Sequence, residues 1–215
     1  MGNYDSRGGS GPRHVRGTMM GQVRGWAGAV CAAALCVGPG VASGFELDPA
    51  WERHVTVFGA SMTENTSFEI LRFEVDWADS YLVGLAFGAE RQIGASRFSW
   101  GVEGQIVRHF GQMDHWEVNL PVVLRYTPPN PWIDSFESFA YGLGLSHATE
   151  VPSVEVERTG ESQRNFFYWK AELEFNLPSP DTALLLGMHH RSDGYGVFDA
   201  DSGSTALSVG FKRSF

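Results

Sequence analysis

The sequence predicts an all-β chain that closes into an antiparallel barrel of about eight strands. Three observations carry this expectation. Apolar residues recur at every second position through most of the chain, charged and polar residues fill many of the alternate positions, and no segment sustains a helical period.

The first residues form a separate unit. Residues 1–18 are rich in Gly, Arg and Ser, whereas Met20 to Gly44 contains Arg24, an apolar run from Trp26 to Val37 and the small residues Val41-Ala42-Ser43. This is the layout of a secretory signal peptide. The apolar run is too short for a transmembrane helix, which takes about 20 apolar residues. We expect 1–43 to be an N-terminal extension and signal peptide that is removed, with a start at Met19 or Met20 and cleavage near Ser43, and 44–215 to be the barrel domain. Cys31 and Cys36 both fall in the removed part. Neither follows a small-residue box for lipid attachment, so the mature chain is expected to carry no disulfide and no lipid anchor. Without the four arginines and one aspartate of the leader, 12 basic and 24 acidic residues remain, a net charge of −12. An acidic chain with no basic tract argues against nucleic acid as a partner.

Taken in order, alternation marks Leu71-Phe73-Val75-Trp77, Tyr81 to Phe87, Phe98 to Ile106, Trp116 to Tyr126, Phe139 to Leu145, Phe167 to Phe175, Leu184 to Met188 and Leu207 to Phe211. The run from His54 to Met62 also reads as extended, which makes nine. A bacterial barrel with both termini on one side needs an even number. The run at 51–61 alternates least regularly and is set aside; it either plugs the barrel or joins it as a strand, in which case two later runs merge.

A secreted sandwich would bury the apolar set in a shared core, whereas an outer-membrane barrel turns it toward lipid. Four features favour the barrel: strands of roughly ten residues, as tilted spans require; Trp77, Trp100, Trp116 and Trp169 on the apolar face; the export signal; and the terminal Phe215, a mark by which assembly machinery recognises such strands. The expected location is the bacterial outer membrane. The expected lumen side chains are Arg72, Glu74, Asp76, Arg97, Glu103, Glu117, Arg125, Lys170, Glu172, Glu174 and Lys212. Their near-balance of sign predicts a filled interior, since open pores take about sixteen strands.

With Phe215 in the periplasm, the proline-marked segments 127–131 and 177–180 become periplasmic turns, and 148–164 and 190–204 become surface loops. Leu184, Leu186 and Met188 face lipid, so His190 and Ser192 continue that face while His189 and Arg191 turn inward. The His189-His190 pair therefore cannot hold one metal ion together. A serine hydroxyl becomes a nucleophile when a neighbouring base takes its proton.

His190-Arg191-Ser192-Asp193-Gly194, placed before a final strand ending at Phe215, resembles the His-x-Ser-Asn motif of the outer-membrane lipid A deacylases, acyloxyacyl hydrolases of the lipid A 3-O-deacylase type. The resemblance is carried by the segment after Leu184 and otherwise by the strand pattern. It implies an eight-stranded barrel with a serine-esterase site on its outer wall, lipid A or lipopolysaccharide as substrate, Ser192 as nucleophile and His190 as general base. Two positions depart from the family. Asp193 stands where the family has Asn, and an ionised carboxylate only accepts hydrogen bonds, so an oxyanion hole would need the Gly194 N–H or a neutral Asp193. Thr205 stands where the family's glutamate lies, which leaves Asp199 or Asp201 as loop-borne candidates for a third member. The resemblance implies no cofactor; Glu155 and Glu157 are solvated charges able to bridge divalent cations to lipid phosphate, and Arg158, Arg164 and Arg191 are candidate phosphate contacts. The rival reading is a non-catalytic barrel with a structural or adhesion role. The oligomeric state is open.

Overall fold

A computed structural model describes residues 50–215, so the expected signal peptide and both cysteines lie outside the described residues. Eight strands form one closed antiparallel meander: β1 Glu52–Thr63, β2 Trp77–Gln92, β3 Phe98–Gly111, β4 Trp116–Tyr126, β5 Phe136–Ala148, β6 Asn165–Asn176, β7 Thr182–Ser192 and β8 Gly203–Ser214. Closure is made by β1 against β8, in a register running from His54 opposite Ser214 to Thr63 opposite Thr205. Two short helices, α1 (Ser67–Leu71) and α2 (Ser153–Thr159), sit in the connections β1–β2 and β5–β6. Those connections, with 112–115 and 193–202, emerge at one end of the barrel, called here the loop end. The turns at 93–97, 127–135 and 177–181 lie at the other, and the last two carry the prolines expected there.

The strand count is as expected, but its assignment changes at the N-terminus. The segment His54 to Met62, set aside on its sequence, is the middle of β1, while Leu71, Phe73 and Val75 belong to the β1–β2 loop. Phe73 has a φ of 65° and is 94% exposed. The reason lies in the inward face of β1. Phe58 and Met62 point inward and are buried, where Gly84 and Gly210 make room; a Cβ on Gly84 would come within 2.2 Å of the Phe58 ring. An apolar residue on the lumen side blurs the apolar-out alternation that identifies the other strands. Arg72, Glu74 and Asp76 are accordingly loop residues rather than lumen residues, and Arg97 is an exposed turn residue.

Elsewhere the barrel is inverted relative to a soluble fold. Along β4 the residues Trp116, Val118, Leu120, Val122, Leu124 and Tyr126 are exposed, while Glu117 and Asn119 are fully buried between them. The same parity exposes Tyr81, Val83 and Phe87 on β2 and Tyr141, Leu143 and Leu145 on β5. A continuous apolar outer wall around a charged interior is the distribution that hydrocarbon surroundings select, and a contiguous patch of this size has no place on a water-soluble monomer.

The interior is a column of paired charges. Near the turn end, Arg125 makes a bidentate pair with Glu90 at 2.8 and 2.9 Å and also reaches Glu174 and Ser138. Lys212 pairs with Glu174 at 2.5 Å. At mid-height Lys170 donates to both oxygens of Glu103, at 2.7 and 2.9 Å, and to Glu172 at 3.1 Å. Toward the loop end Glu117 accepts from His109 and His189. Between these groups, the void beside Glu103, Tyr168 and Lys170 has room for about one water molecule. At the mouth, α2 lies across the opening with Val154 buried beside Met113. The filled interior expected from the balance of charge is therefore present, and a general pore is excluded.

Because Arg125 neutralises two buried carboxylates, Arg125→Met should destabilise the refolded barrel by about 3–5 kcal/mol. Denaturant unfolding in lipid vesicles measures this, with Arg213→Met, an exposed position, changing stability by less than about 1 kcal/mol as the control. Equal effects at the two positions would show that the lumen pairs are not holding the barrel together.

Candidate functional site

Strand β7 carries the paired residues singled out in the sequence, and it extends further than expected. His190 and Ser192 are its last outward positions rather than part of a loop, and the loop proper spans 193–202. Parity is as read from the sequence: His189 and Arg191 are buried in the lumen, at 4% and 1% exposure, while His190 and Ser192 are half-buried on the outer wall. Two residues apart on one strand face, their Cα atoms are about 7 Å apart. Among the described residues no hydrogen bond joins the two side chains.

What holds His190 is specific. Thr205, directly opposite on β8, places Oγ1 2.8 Å from His190 Nδ1. Ser67 Oγ lies 3.3 Å from the same nitrogen, and the Trp169 ring of β6 packs against the imidazole at a centroid distance of 4.6 Å. With both hydroxyls around Nδ1, the Nδ1–H tautomer is satisfied and the Nε2 lone pair is left to take a proton. Thr205 thus has the geometry to orient the ring but carries no charge.

Ser67 reaches His190 because α1 is fixed at its start. Thr66 and Glu69 form a reciprocal capping box, and the Thr66 backbone N–H and hydroxyl hold the Glu69 carboxyl below the usual carboxylate range. The Thr66-x-x-Glu69 spacing is a sequence signal that would have marked this segment as a helix start and not a strand.

The other candidates separate. Asp193 caps its own loop: Oδ2 accepts from the Gly196 N–H at 2.5 Å, and its backbone bonds to Ser202 and Phe198. Gly194 is required where it stands, with a φ of 71° and the Phe167 ring filling the space of any Cβ. Asp199 and Asp201 are exposed in the loop; the Asp201 N–H is bound by Glu161, and neither carboxylate contacts His190. Gly203, opposite Ser192, also has no room for a side chain, since a Cβ would lie 2.3 Å from the Arg191 carbonyl oxygen.

The β5–β6 loop departs from expectation. Glu155 is not a solvated charge: it is fully buried, accepts from Ser204 at 2.7 Å and from Ser162 at 2.5 Å, and faces Arg191 at 3.5 Å. Arg191 is therefore committed to the interior, where it also stacks on Phe166 and donates to two backbone carbonyls, and it is unavailable to a lipid phosphate. Glu157 and Arg164 are exposed. Arg158 donates to the Gly203 carbonyl, which brings a guanidinium beside the β7–β8 end of the site.

On the lumen side of the same wall the structure gathers residues that the sequence reading did not connect. His109, His115, Glu117 and His189 meet below α2, with His109 and His115 stacked at 4.4 Å. Burial, with His109 beside it, pushes the His115 imidazole down to about 4. His109 and Glu117 share inward parity on paired strands, and His115 follows two residues before Glu117, a local spacing that carried the signal.

The tautomer of His190 is directly measurable. Nitrogen NMR of ¹⁵N-histidine-labelled barrel should show Nδ1 protonated, and Thr205→Val combined with Ser67→Ala should shift the ring toward Nε2–H. An unchanged tautomer would mean that neither hydroxyl orients the ring.

No protein-family model matches the sequence, and no curated protein does. Solved structures do. The chain is similar to the outer membrane enzyme PagL, with a TM-score of 0.51 and 12% identity over 74% of this chain and 98% of that one. It also matches the Yersinia pestis outer membrane protein Ail in a phospholipid bilayer nanodisc, with a TM-score of 0.40 and 15% identity over 75% of this chain and 98% of that one. At such identity the likeness to PagL establishes the shared fold, a closed eight-stranded antiparallel β-barrel.

Proposed function

We propose that this chain is a bacterial outer-membrane serine esterase that removes a fatty acyl chain from lipid A or lipopolysaccharide, with Ser192 as nucleophile and His190 as general base. The observation that carries the reading is an outward-facing His190-Ser192 pair at the loop end of an apolar barrel wall, its imidazole held at Nδ1 by Thr205. In the outer membrane the loop end faces the cell exterior, which sets this pair at the depth of the outer-leaflet acyl esters. The likeness in fold to an outer membrane enzyme agrees with that setting.

The chemistry follows from the atoms present. His190 Nε2 takes the Ser192 hydroxyl proton as Oγ attacks the ester carbonyl; the imidazolium then protonates the departing sugar alkoxide, leaving an acyl-serine. A water molecule, deprotonated by the same nitrogen, releases the fatty acid and restores Ser192. The Asp193 N–H is engaged by the Ser202 carbonyl, which leaves the Gly194 N–H as the backbone donor for the oxyanion. Around the site Phe68, Leu71, Phe73, Tyr195 and Val197 are exposed on the rim, an apolar surface suited to acyl chains, and Arg158 offers a positive charge to an anionic headgroup.

A second reading, a non-catalytic barrel with a structural or adhesion role, is favoured by one feature: neither Thr205 nor any contacting carboxylate supplies the negative charge that stabilises an imidazolium. The two readings separate in one experiment. Lipid A is extracted from cells expressing the full chain and weighed by mass spectrometry. Loss of one acyl chain that disappears in Ser192→Ala and in His190→Ala is expected; unchanged lipid A with folded barrel in the membrane sinks the enzyme reading.

Two further substitutions tune the same assay. Thr205→Glu restores the family's acid opposite His190 and should raise turnover by about tenfold or more, since an uncharged third member is costly in such triads. Asp193→Asn keeps an oxygen for the Gly196 N–H and adds a donor beside the nucleophile, so it should raise activity; a clear loss would show that the carboxylate itself is needed.

A further inference from the structure

The interior cluster below α2 has features that a charge network alone does not explain. His109 and Glu117 face each other across β3 and β4, with Nε2 2.9 Å from Oε2. His115 enters from the short β3–β4 loop and stacks on His109 at an interplanar angle of 12°. The three are at most 4% exposed, and one donor atom from each lies within 4.8 Å of the other two. Two buried ring nitrogens, His109 Nδ1 and His115 Nε2, have no hydrogen-bond partner among the described residues. Leaving a buried polar atom unpaired costs about 1–3 kcal/mol, and the His115 nitrogen, beside the His109 Nε2–Glu117 pair, points to something that accepts its lone pair.

We propose that His109, His115 and Glu117 form a binding site for a divalent transition metal of the zinc class inside the loop end of the barrel. The donor set decides the class. Two imidazoles and one carboxylate suit Zn²⁺ and its neighbours, whereas Ca²⁺ and Mg²⁺ take oxygen ligands. Bonds of about 2.0–2.1 Å to two donors as close as His109 Nε2 and Glu117 Oε2 subtend roughly a right angle, within reach of a small rearrangement. The adjustment falls on His115, which is carried by a loop while the other two ligands are anchored in paired strands.

The surroundings supply what such a site needs. His189 Nε2 stands 3.0 Å from the second Glu117 oxygen, Oε1, positioned either to orient the carboxylate or to fill the fourth position. Two fixed positive charges stand close, each with a counter-charge: Arg191, 3.9 Å from Glu117, faces Glu155, and Arg108, which donates to the His115 carbonyl, pairs with Asp114. Met113, two residues before His115, and Val154 of α2 are buried in the apolar cluster at the loop end. The site shares only strand β7 with the outer-wall pair, through His189 behind His190, and it does not depend on the esterase reading.

The test uses tag-free, full-length barrel refolded in detergent, stripped with chelator and titrated at neutral pH with CoCl₂ and then ZnCl₂. One equivalent of Co²⁺ should produce a visible d–d absorption band that Zn²⁺ abolishes. His115→Ala should weaken Co²⁺ binding by about 100-fold, at least as much as the loss of an outer-shell partner does in known sites, while Ser192→Ala leaves it unchanged. Heat-modified gel mobility verifies that each variant is folded. In the unsubstituted barrel, zinc-dependent shifts of the His109 and His115 ring nitrogens provide a second reading that needs no variant. Absence of the band, equal affinity in His115→Ala, or ring nitrogens indifferent to zinc would each overturn the site.

Discussion

The constraint on which this structure depends is that every charge turned into the lumen must find its counter-charge there. Eight strands leave an interior too narrow for bulk water, and an isolated buried ion is costly enough that it survives only when paired. Glu90, Arg125, Glu174 and Lys212 near the turn end, and Glu103, Lys170 and Glu172 at mid-height, form a near-continuous ladder across strands far apart in sequence. The ladder fixes register as well as stability. Slipping one strand by a single residue would turn its charges outward into the apolar wall and its apolar residues inward.

Register in turn fixes the outer wall. Because His189 and Arg191 are tied to Glu117 and Glu155 inside, His190 and Ser192 have no choice but to face out. The buried α2 contacts extend this control to the loops: Glu155 binds Ser204, Arg158 binds the Gly203 carbonyl, and Thr159 binds Ser202, all around the start of β8. The strand end that presents Ser192 is therefore braced from behind by the lumen network and from the side by a helix that plugs the mouth. Precise placement of an outer-wall pair is what a scaffold of this kind can give, since groups on paired strands are held more closely than groups on loops.

How much of this was legible follows from where parity is clean. Strands β2 to β8 alternate strictly enough to be read, and with them came the filled lumen, the outward facing of His190 and the two proline turns. β1 was passed over because Phe58 and Met62 occupy inward positions, Phe58 opposite Gly84 and Gly210, and glycine complementarity between neighbouring strands leaves no periodic trace. Leu71, Phe73 and Val75 alternate without being a strand, and the capping box at Thr66 to Glu69 was the stronger local signal. Glu155 and Arg191 were misjudged for a different reason. Burial of a charged loop residue depends on a partner supplied by another part of the chain, and sequence spacing does not contain it.

The placement of the candidate pair was legible, its surroundings only in part. His190 and Ser192 could be placed by counting residues from the end of an alternating run, a local property. Of the two groups that hold the His190 ring, Thr205, 15 residues away, was reached only through the resemblance, and Ser67, 123 residues away and brought up by the fold of the β1–β2 loop, was not reached at all. Under the esterase reading proposed above, a hydroxyl at the position of the expected acid changes what the pair can do. It fixes the tautomer, which is a matter of geometry, but it adds no charge to stabilise the imidazolium, which is a matter of electrostatics. The two contributions are usually fused in one carboxylate. Here they are separated by the chain itself, so any turnover this barrel shows measures what orientation alone supplies.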